Sequence, residues 1–357
     1  MPFSRRHFLQ AAGAVAAVWV PSPVKGYTAT ELTRRVEESG AAISELGVSM
    51  WDLDTPALIV DLDLLEANIS MMQRTVGRNG IATRPHAKTH KTPEVARIQL
   101  ETGSVGICVA KVSEAHALFR HGIEPLLMTT SNVTPAKINR AMHLRKWCDQ
   151  FIQATDTPEN ARLLAEAAES LGVVADVVVD VDPGGHRTGI TPGQPALELA
   201  QLVDQLPSLR LRGMLCYDGG SQHVTGFKKR ETQTLKNLLP AAETFEQFQR
   251  AGLNTEIFSG GGTGTYNIDH QTPGLTDVQV GSYVFMDAQY MGIGGANNAE
   301  AYSDFKPSLT ILTTVLNAQY TGRATTDAGA KACTINRPWA IVKGETGMSY
   351  TSGSDEF

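Results

Sequence analysis

Between residues 57 and 285, short runs rich in β-branched and apolar residues alternate with longer amphipathic ones, which restricts the chain to a few folds. The strand-like runs are ALIVD (57–61), IATRPHAK (81–88), VGICVA (105–110), PLLMTT (125–130), FIQAT (151–155), VVADVVVDV (173–181), LRGMLCY (211–217), TEIFS (255–259) and VQVGSYVF (278–285). Helical patterns fill 62–78, 93–102, 113–121, 134–146, 157–171, 194–205 and 225–251. Strands that recur with intervening helices pair in parallel, and about eight of them close into a TIM-type (β/α)8 barrel. One strand in excess of eight is expected to lie outside the barrel. The alternative, a doubly wound open sheet, is weakened because no G-x-G-x-x-G follows the first strand. After Tyr290 the pattern changes: 308–320 and 337–344 alternate apolar and polar residues between turns, as in a small, mainly antiparallel β domain.

Composition narrows the function. With 42% hydrophobic and 19% charged residues the chain can bury a large core, and a formal net charge of -6 without a basic run offers nucleic acid no electrostatic footprint. Cys108, Cys148, Cys216 and Cys333 lie far apart with no C-x-x-C pair, so they read as buried free thiols rather than a zinc or disulfide framework. The N-terminal stretch SRRHFLQAAGAVAAVWVPSP joins the twin arginine Arg5-Arg6 to a mildly apolar run that is uncharged up to Lys25. Residues 1–26 are therefore expected to be a twin-arginine signal segment, carrying the folded protein through the twin-arginine export machinery to the periplasm. A membrane anchor is the competing reading, but the run is short and mild for a stable span.

The stretch RPHAKTHK (84–91) concentrates titratable groups. If it continues a strand, Arg84, His86, Lys88 and His90 share one face. Thr92, Pro93 and Glu94 then open a helix, which places Lys88 near the C-terminal end of a barrel strand, where barrel enzymes keep their chemistry. Neighbouring cations and desolvation disfavour the ammonium form there and leave an amine able to attack an aldehyde. A second feature, FSGGGTGTY (258–266), places Gly260, Gly261, Gly262 and Gly264 after a late strand. Backbone N–H groups of such a loop can cradle an anion, with Thr263 or Thr265 adding a hydroxyl, and the absence of G-K-[ST] excludes a nucleotide P-loop. An aldehyde-reactive lysine and a phosphate cradle in one barrel point to pyridoxal 5'-phosphate.

Several segments carry a specific resemblance: DTPALIVDLDLLEANI (54–69), RPHAKTHKTPEVARIQLETGSVGICVAKVSEAHAL (84–118), DPGGHRTG (182–189), CYDGGSQH (216–223), SGGGTGTY (259–266) and VGSYVFMDAQY (280–290). The chain resembles the D-threonine aldolase and eukaryotic-type D-serine dehydratase family, fold type III enzymes related to the N-terminal barrel of alanine racemase. The resemblance implies a pyridoxal-phosphate barrel over 50–290, with strand 57–61 pairing instead with a C-terminal β domain over 291–357 that is expected to be incomplete. It implies that Lys88 forms the Schiff base, that Arg187 faces the cofactor ring or its phenolic oxygen, and that Tyr217 lies beside the pyridine ring. Gly261, Gly262 and Thr263 would hold the phosphate, His86 and His223 would line the catalytic site, and Asp327 would border it.

The implied activity is a lyase acting on small D-3-hydroxy amino acids as a homodimer. D-Threonine aldolase is favoured, cleaving its substrate to glycine and an aldehyde; a D-serine or D-threo-3-hydroxyaspartate dehydratase is the alternative. An amino-acid racemase, with Tyr302, Tyr320 or Tyr350 as second acid/base, and a non-catalytic pyridoxal-phosphate-binding protein are the further readings. The family also implies a divalent metal held by a histidine and a cysteine or aspartate near the C-terminus. Here the last histidine is His270 and the last cysteine Cys333, and Asp355 and Glu356 are poor substitutes, so no metal ligand is assigned.

Replacing Arg5 and Arg6 together by lysine is expected to retain the protein in the cytosol, as read by cell fractionation. A wild-type chain found only in the cytosolic fraction would remove the export reading.

Overall fold

The computed structural model describes residues 26–41, 45–333, 338, 340–345 and 347–351. The signal segment up to residue 25, Asp355 and Glu356 lie outside the described residues. Two compact units are present, one formed by residues up to 67, 285–292 and 305 onward, the other by 68–284 and 293–304.

The elements follow in chain order as α1 (Ala29–Ser39), β1 (Ala57–Val60), α2 (Leu62–Arg78), β2 (Ala82–Thr83), α3 (Pro93–Glu101), β3 (Ile107–Val109), α4 (Val112–Arg120), β4 (Leu126–Met128), α5 (Pro135–Arg145), β5 (Phe151–Thr155) and α6 (Pro158–Ser170). They continue with β6 (Ala175–Asp180), α7 (Gln194–Gln205), β7 (Leu209–Cys216), α8 (Phe227–Arg250), β8 (Ile257–Gly260), β9 (Asp277–Val278), α9 (Ala288–Met291), β10 (Leu309–Leu312), β11 (Val315–Asn317) and β12 (Thr325–Thr326).

In the larger unit β2–β9 form an eight-stranded sheet in the order β2-β9-β8-β7-β6-β5-β4-β3, parallel throughout. Its two ends meet: Val105 N–H donates to Thr83 O at 2.9 Å, Cys108 N–H donates to Pro85 O at 2.8 Å, and His86 bridges Cys108 in parallel. The sheet thus closes as a (β/α)8 barrel. Strands β5 and β6 are buried at every residue, because helices cover one face and the barrel interior the other. The interior is packed by Cys108, Leu127, Ile152, Ala154, Val178, Leu215 and Ile257, contributed by successive strands. Thr134-Pro135 and Thr157-Pro158 open α5 and α6 with the threonine hydroxyl accepting from Lys137 N–H and Asn160 N–H. All four cysteines are free; Cys108, Cys148 and Cys216 are buried and Cys333 is half-buried.

The smaller unit contains two antiparallel pairs. β1 pairs β10, with Ala57 opposite Leu312 and Val60 opposite Leu309. The extra strand is therefore outside the barrel, as the count requires, and joined to the C-terminal sheet, as the resemblance implies. β11 pairs β12. No strand forms at 338 or 340–344 among the described residues, although alternation there reads as sheet. Asp327 accepts from the Thr55 hydroxyl at 2.5 Å and the Thr313 hydroxyl at 2.7 Å.

Two strand expectations are corrected. Of the run 278–285 only Val278 is strand, at the end of Asp277–Val278, and the chain then turns through Ser282–Val284. The run 81–88 is regular strand only at Ala82–Thr83; Pro85 has no N–H to donate, and Ala87–Thr89 winds into a 3-10 turn. Strict alternation therefore fails before Lys88. Arg84 points instead to Asp277, donating Nε to Oδ1 at 3.0 Å and a terminal nitrogen to Oδ2 at 3.2 Å, both side chains buried. This bidentate pair joins β2 to β9. Gly106 is required beside it, since a Cβ there would come within 2.7 Å of the guanidinium.

Removing one partner of a buried ion pair leaves an uncompensated charge. Arg84→Ala is expected to lower stability by about 3–5 kcal/mol in urea unfolding. A loss under about 1 kcal/mol would show that the pair is not what holds β2 to β9.

Candidate active site

The 3-10 turn after β2 presents Lys88 at the C-terminal end of the barrel. His86 caps this turn: its Nδ1 accepts the Lys88 N–H at 3.3 Å. Because Nδ1 is an acceptor, the ring proton sits on Nε2, which donates to Thr129 Oγ1 at 3.2 Å, and the Thr129 hydroxyl donates to Val109 O at 3.2 Å. Burial, reinforced by Lys88, His90, Arg187 and Lys91, pushes His86 well below the ordinary imidazole range. His86 is thus a neutral ring that fixes the lysine turn.

The Lys88 side chain opens to the mouth and its Nζ lies 5.3 Å from the centroid of the Tyr217 ring. Arg187 approaches the same ring, with Cζ 5.1 Å from the centroid. Burial first, and the Arg187 charge second, hold the Lys88 amine below its usual value. Tyr217 follows directly on β7, and burial raises its phenol. The structure therefore brings together Lys88, Tyr217, Arg187 and His86 from three separate strand ends.

Arg187 is carried by a closed excursion of the chain after β6. Asp182 N–H donates to Ile190 O and Ile190 N–H to Asp180 O, each at 2.9 Å. The Asp182 carboxylate gathers the N–H groups of Gly184 at 2.9 Å and His186 at 3.0 Å, and accepts from His186 Nδ1 at 2.7 Å. Gly189 adopts φ 97°, and a Cβ there would meet Asp182 N at 2.5 Å. Below the excursion, Asp180 is buried with one carboxyl oxygen unpartnered among the described residues. Burial lifts its pKa to about 7.

The glycine loop follows β8. Each of three glycines is demanded by a close approach: a Cβ on Gly261 would lie 2.1 Å from Asp269 Oδ2, on Gly262 2.6 Å from Gln222 Oε1, and on Gly264 2.0 Å from Gln222 O. Gly262 N–H donates to Thr265 Oγ1 at 3.3 Å and Gly264 N–H to Gln222 Oε1 at 2.9 Å. Within the loop itself the N–H groups of Gly261 and Thr263, both buried residues, have no partner among the described residues. Buried amides of this kind are rare unless a ligand satisfies them. The Thr263 hydroxyl accepts from Tyr283 N–H at 3.1 Å and retains its own proton to donate.

His223 is exposed on the loop after β7, one residue past Gln222. Sequence reasoning missed Thr129, Gln222, Asp180 and Asp269. Thr129 carries the one usable signal, a hydroxyl at the end of a strand-like run. The others are single polar residues whose roles come from neighbours remote in the chain. Among the described residues no group of three or more histidines, cysteines or carboxylates is placed to hold a metal ion.

Comparison with known proteins adds to this geometry. Residues 60–289 match the family described as alanine racemase, N-terminal domain. The chain is 34% identical over 312 residues to a 3-hydroxy-D-aspartate aldolase from Paracoccus denitrificans (strain Pd 1222), covering 87% of this chain and 81% of that one. It is 34% identical over 304 residues to a D-threonine aldolase from Arthrobacter sp, covering 85% and 79%. The crystal structure of D-threonine aldolase from Filomicrobium marinum superposes with a TM-score of 0.75 at 34% identity, covering 80% of this chain and 76% of that one.

Because the Arg187 charge lowers the Lys88 pKa, Arg187→Gln is expected to raise it. Attack on a small aldehyde needs the neutral amine, so the pH midpoint for reductive trapping at Lys88 moves upward in the variant. An unchanged midpoint, read by peptide mass spectrometry across pH, would separate the two charges.

Proposed function

This chain belongs to the family of the alanine racemase N-terminal domain and is a pyridoxal 5'-phosphate-dependent lyase; we propose that its reaction is the retro-aldol cleavage of D-threonine or a close D-3-hydroxy amino acid to glycine and an aldehyde. The observation that carries the reading is the convergence of a depressed lysine amine and a guanidinium on one tyrosine ring, at the barrel end that also holds the spare amides of the glycine loop.

The residues fit the cofactor. Lys88 would bind its aldehyde carbon, Tyr217 would lie beside its ring, Arg187 would face the ring or its phenolic oxygen, and the Gly261 and Thr263 amides with the Thr263 hydroxyl would hold its phosphate. Gly262 shapes that cradle through its contact with Gln222. When bound, the cofactor supplies an electron sink for the charge left at Cα as a bond to it breaks.

The protein's own part is proton management. Once the substrate's amino group takes its place, Lys88 is a neutral amine and can accept a proton. Removal of the β-hydroxyl proton leads to Cα–Cβ cleavage, giving glycine and an aldehyde; removal of the Cα proton leads to loss of the β-hydroxyl as water and an imine that water hydrolyses to a 2-oxo acid and ammonia. His86 keeps the amine in position, since its Nδ1 is committed to the Lys88 N–H. Aldolase chemistry is supported by the two curated relatives described above, both aldolases. We propose that the protein works as a homodimer in the periplasm, on the family resemblance and the twin-arginine leader.

The test incubates the purified chain with pyridoxal 5'-phosphate, a divalent cation and D-threonine. Acetaldehyde with glycine is expected, and 2-oxobutyrate with ammonia would replace the aldolase by the dehydratase. Lys88→Ala is expected to lose the cofactor's lysine-dependent absorbance band and at least roughly a thousand-fold in turnover.

A further inference from the structure

Beneath the glycine loop lies a carboxyl group that the proposed reaction does not use. Asp269 opens the short turn Asp269–Gln271 and is fully buried. Its Oδ2 accepts the Thr265 hydroxyl at 2.7 Å and the Gly262 N–H at 3.4 Å. A Cβ on Gly261 would collide with that same oxygen at 2.1 Å, so the carboxyl packs directly on the loop backbone. Its Oδ1 has no hydrogen-bond partner among the described residues.

An ionised carboxylate presents acceptor sites on both oxygens, and burying it with one oxygen bare is far costlier than burying the neutral acid. The surrounding groups do not compensate the charge. From the loop after β7 come Asp218, a like charge, and the Tyr217 phenol. From α8 come Arg230, whose Nε donates to Gly264 O at 2.7 Å, and Glu231, which accepts from Gln271. His270 adjoins it in the turn. The loop amides left open, those of Gly261 and Thr263, flank the glycine that Asp269 engages.

We propose that Asp269 is a positioning residue for phosphate: as a neutral acid it holds Gly261 and Gly262 in the shape that presents the open amides, and it must keep its proton while a dianion occupies the loop. The proposal rests on the cofactor reading above and extends it to the ionisation state of a residue beneath the site. Burial, aided by Asp218 and opposed by Thr265 and Gly262, holds the carboxyl up at about 8. A dianion favours the neutral acid, so affinity is full below the pKa of the free protein and falls as pH rises through it.

The experiment measures dissociation constants of inorganic phosphate for the full chain carrying Lys88→Ala, which removes the lysine's own titration, with and without Asp269→Asn. Between about pH 7.5 and 9.5, where phosphate is mostly dianionic, binding by the chain that retains Asp269 is expected to weaken by about ten-fold or more, and binding by the chain carrying Asp269→Asn to stay nearly level. Parallel profiles would overturn the proposal. If Asp269→Asn does not fold, calorimetry of the Lys88→Ala chain at about pH 8.5 in two buffers of different ionisation heat decides: proton uptake on phosphate binding is expected, and none would overturn it. Absence of a Lys88-dependent band with pyridoxal 5'-phosphate in the wild-type chain would remove the cofactor reading, while the phosphate titration still judges Asp269 separately.

Discussion

The barrel depends on one seam. A parallel sheet buried on both faces leaves no unpaired edge only if its first and last strands join, and here they join through residues 83–86 against 105–108. The same few residues do three things in succession. Arg84 ties the seam to β9 through Asp277, His86 makes the last bridge to β3, and the chain then turns so that Lys88 emerges at the mouth. The lysine stands where closure ends, so its position is set by the hydrogen-bonded seam rather than by a free loop.

Electrostatics at the mouth follows from that placement. Two cations approach one tyrosine ring, and the imidazole between the lysine and the barrel wall is held neutral by burial and by those charges. The adjustment falls on Lys88, whose amine burial and the Arg187 charge hold below its usual value, so that more of it is neutral and able to attack. On the opposite side, the glycine loop is built from close approaches that admit no side chain at Gly261, Gly262 or Gly264. The two halves of the site use different physics, charge crowding for the amine and backbone exposure for the anion.

Much of this was legible in the chain. The alternation of strand and helix patterns gave the barrel and a surplus strand, because period and length report which faces are buried, while the C-terminal partner of that strand came from the family resemblance. Lys88 and the glycine loop stood out as residue patterns, and Arg187 and Tyr217 through motif resemblance. The reading of 84–90 as one alternating strand was not sustained, since a prolyl residue and the His86 cap favour a turn over continued extension. Asp269, Gln222 and Thr129 were illegible because a lone polar residue has no local pattern that distinguishes a strut from a surface group.

The amino-acid sequence by itself determined the repeating units, the order of the strands, and the residue types available for carbonyl and phosphate chemistry, since these depend on local periodicity and composition. Only the tertiary structure decided which of these groups meet. Lys88, Arg187 and Tyr217 are separated by long stretches of chain, and the Cβ-excluding contacts of the glycine loop come from Gln222 and Asp269. Ionisation belongs to the same class, because a buried carboxyl or a crowded amine takes its pKa from neighbours and dielectric that exist only once the barrel has closed.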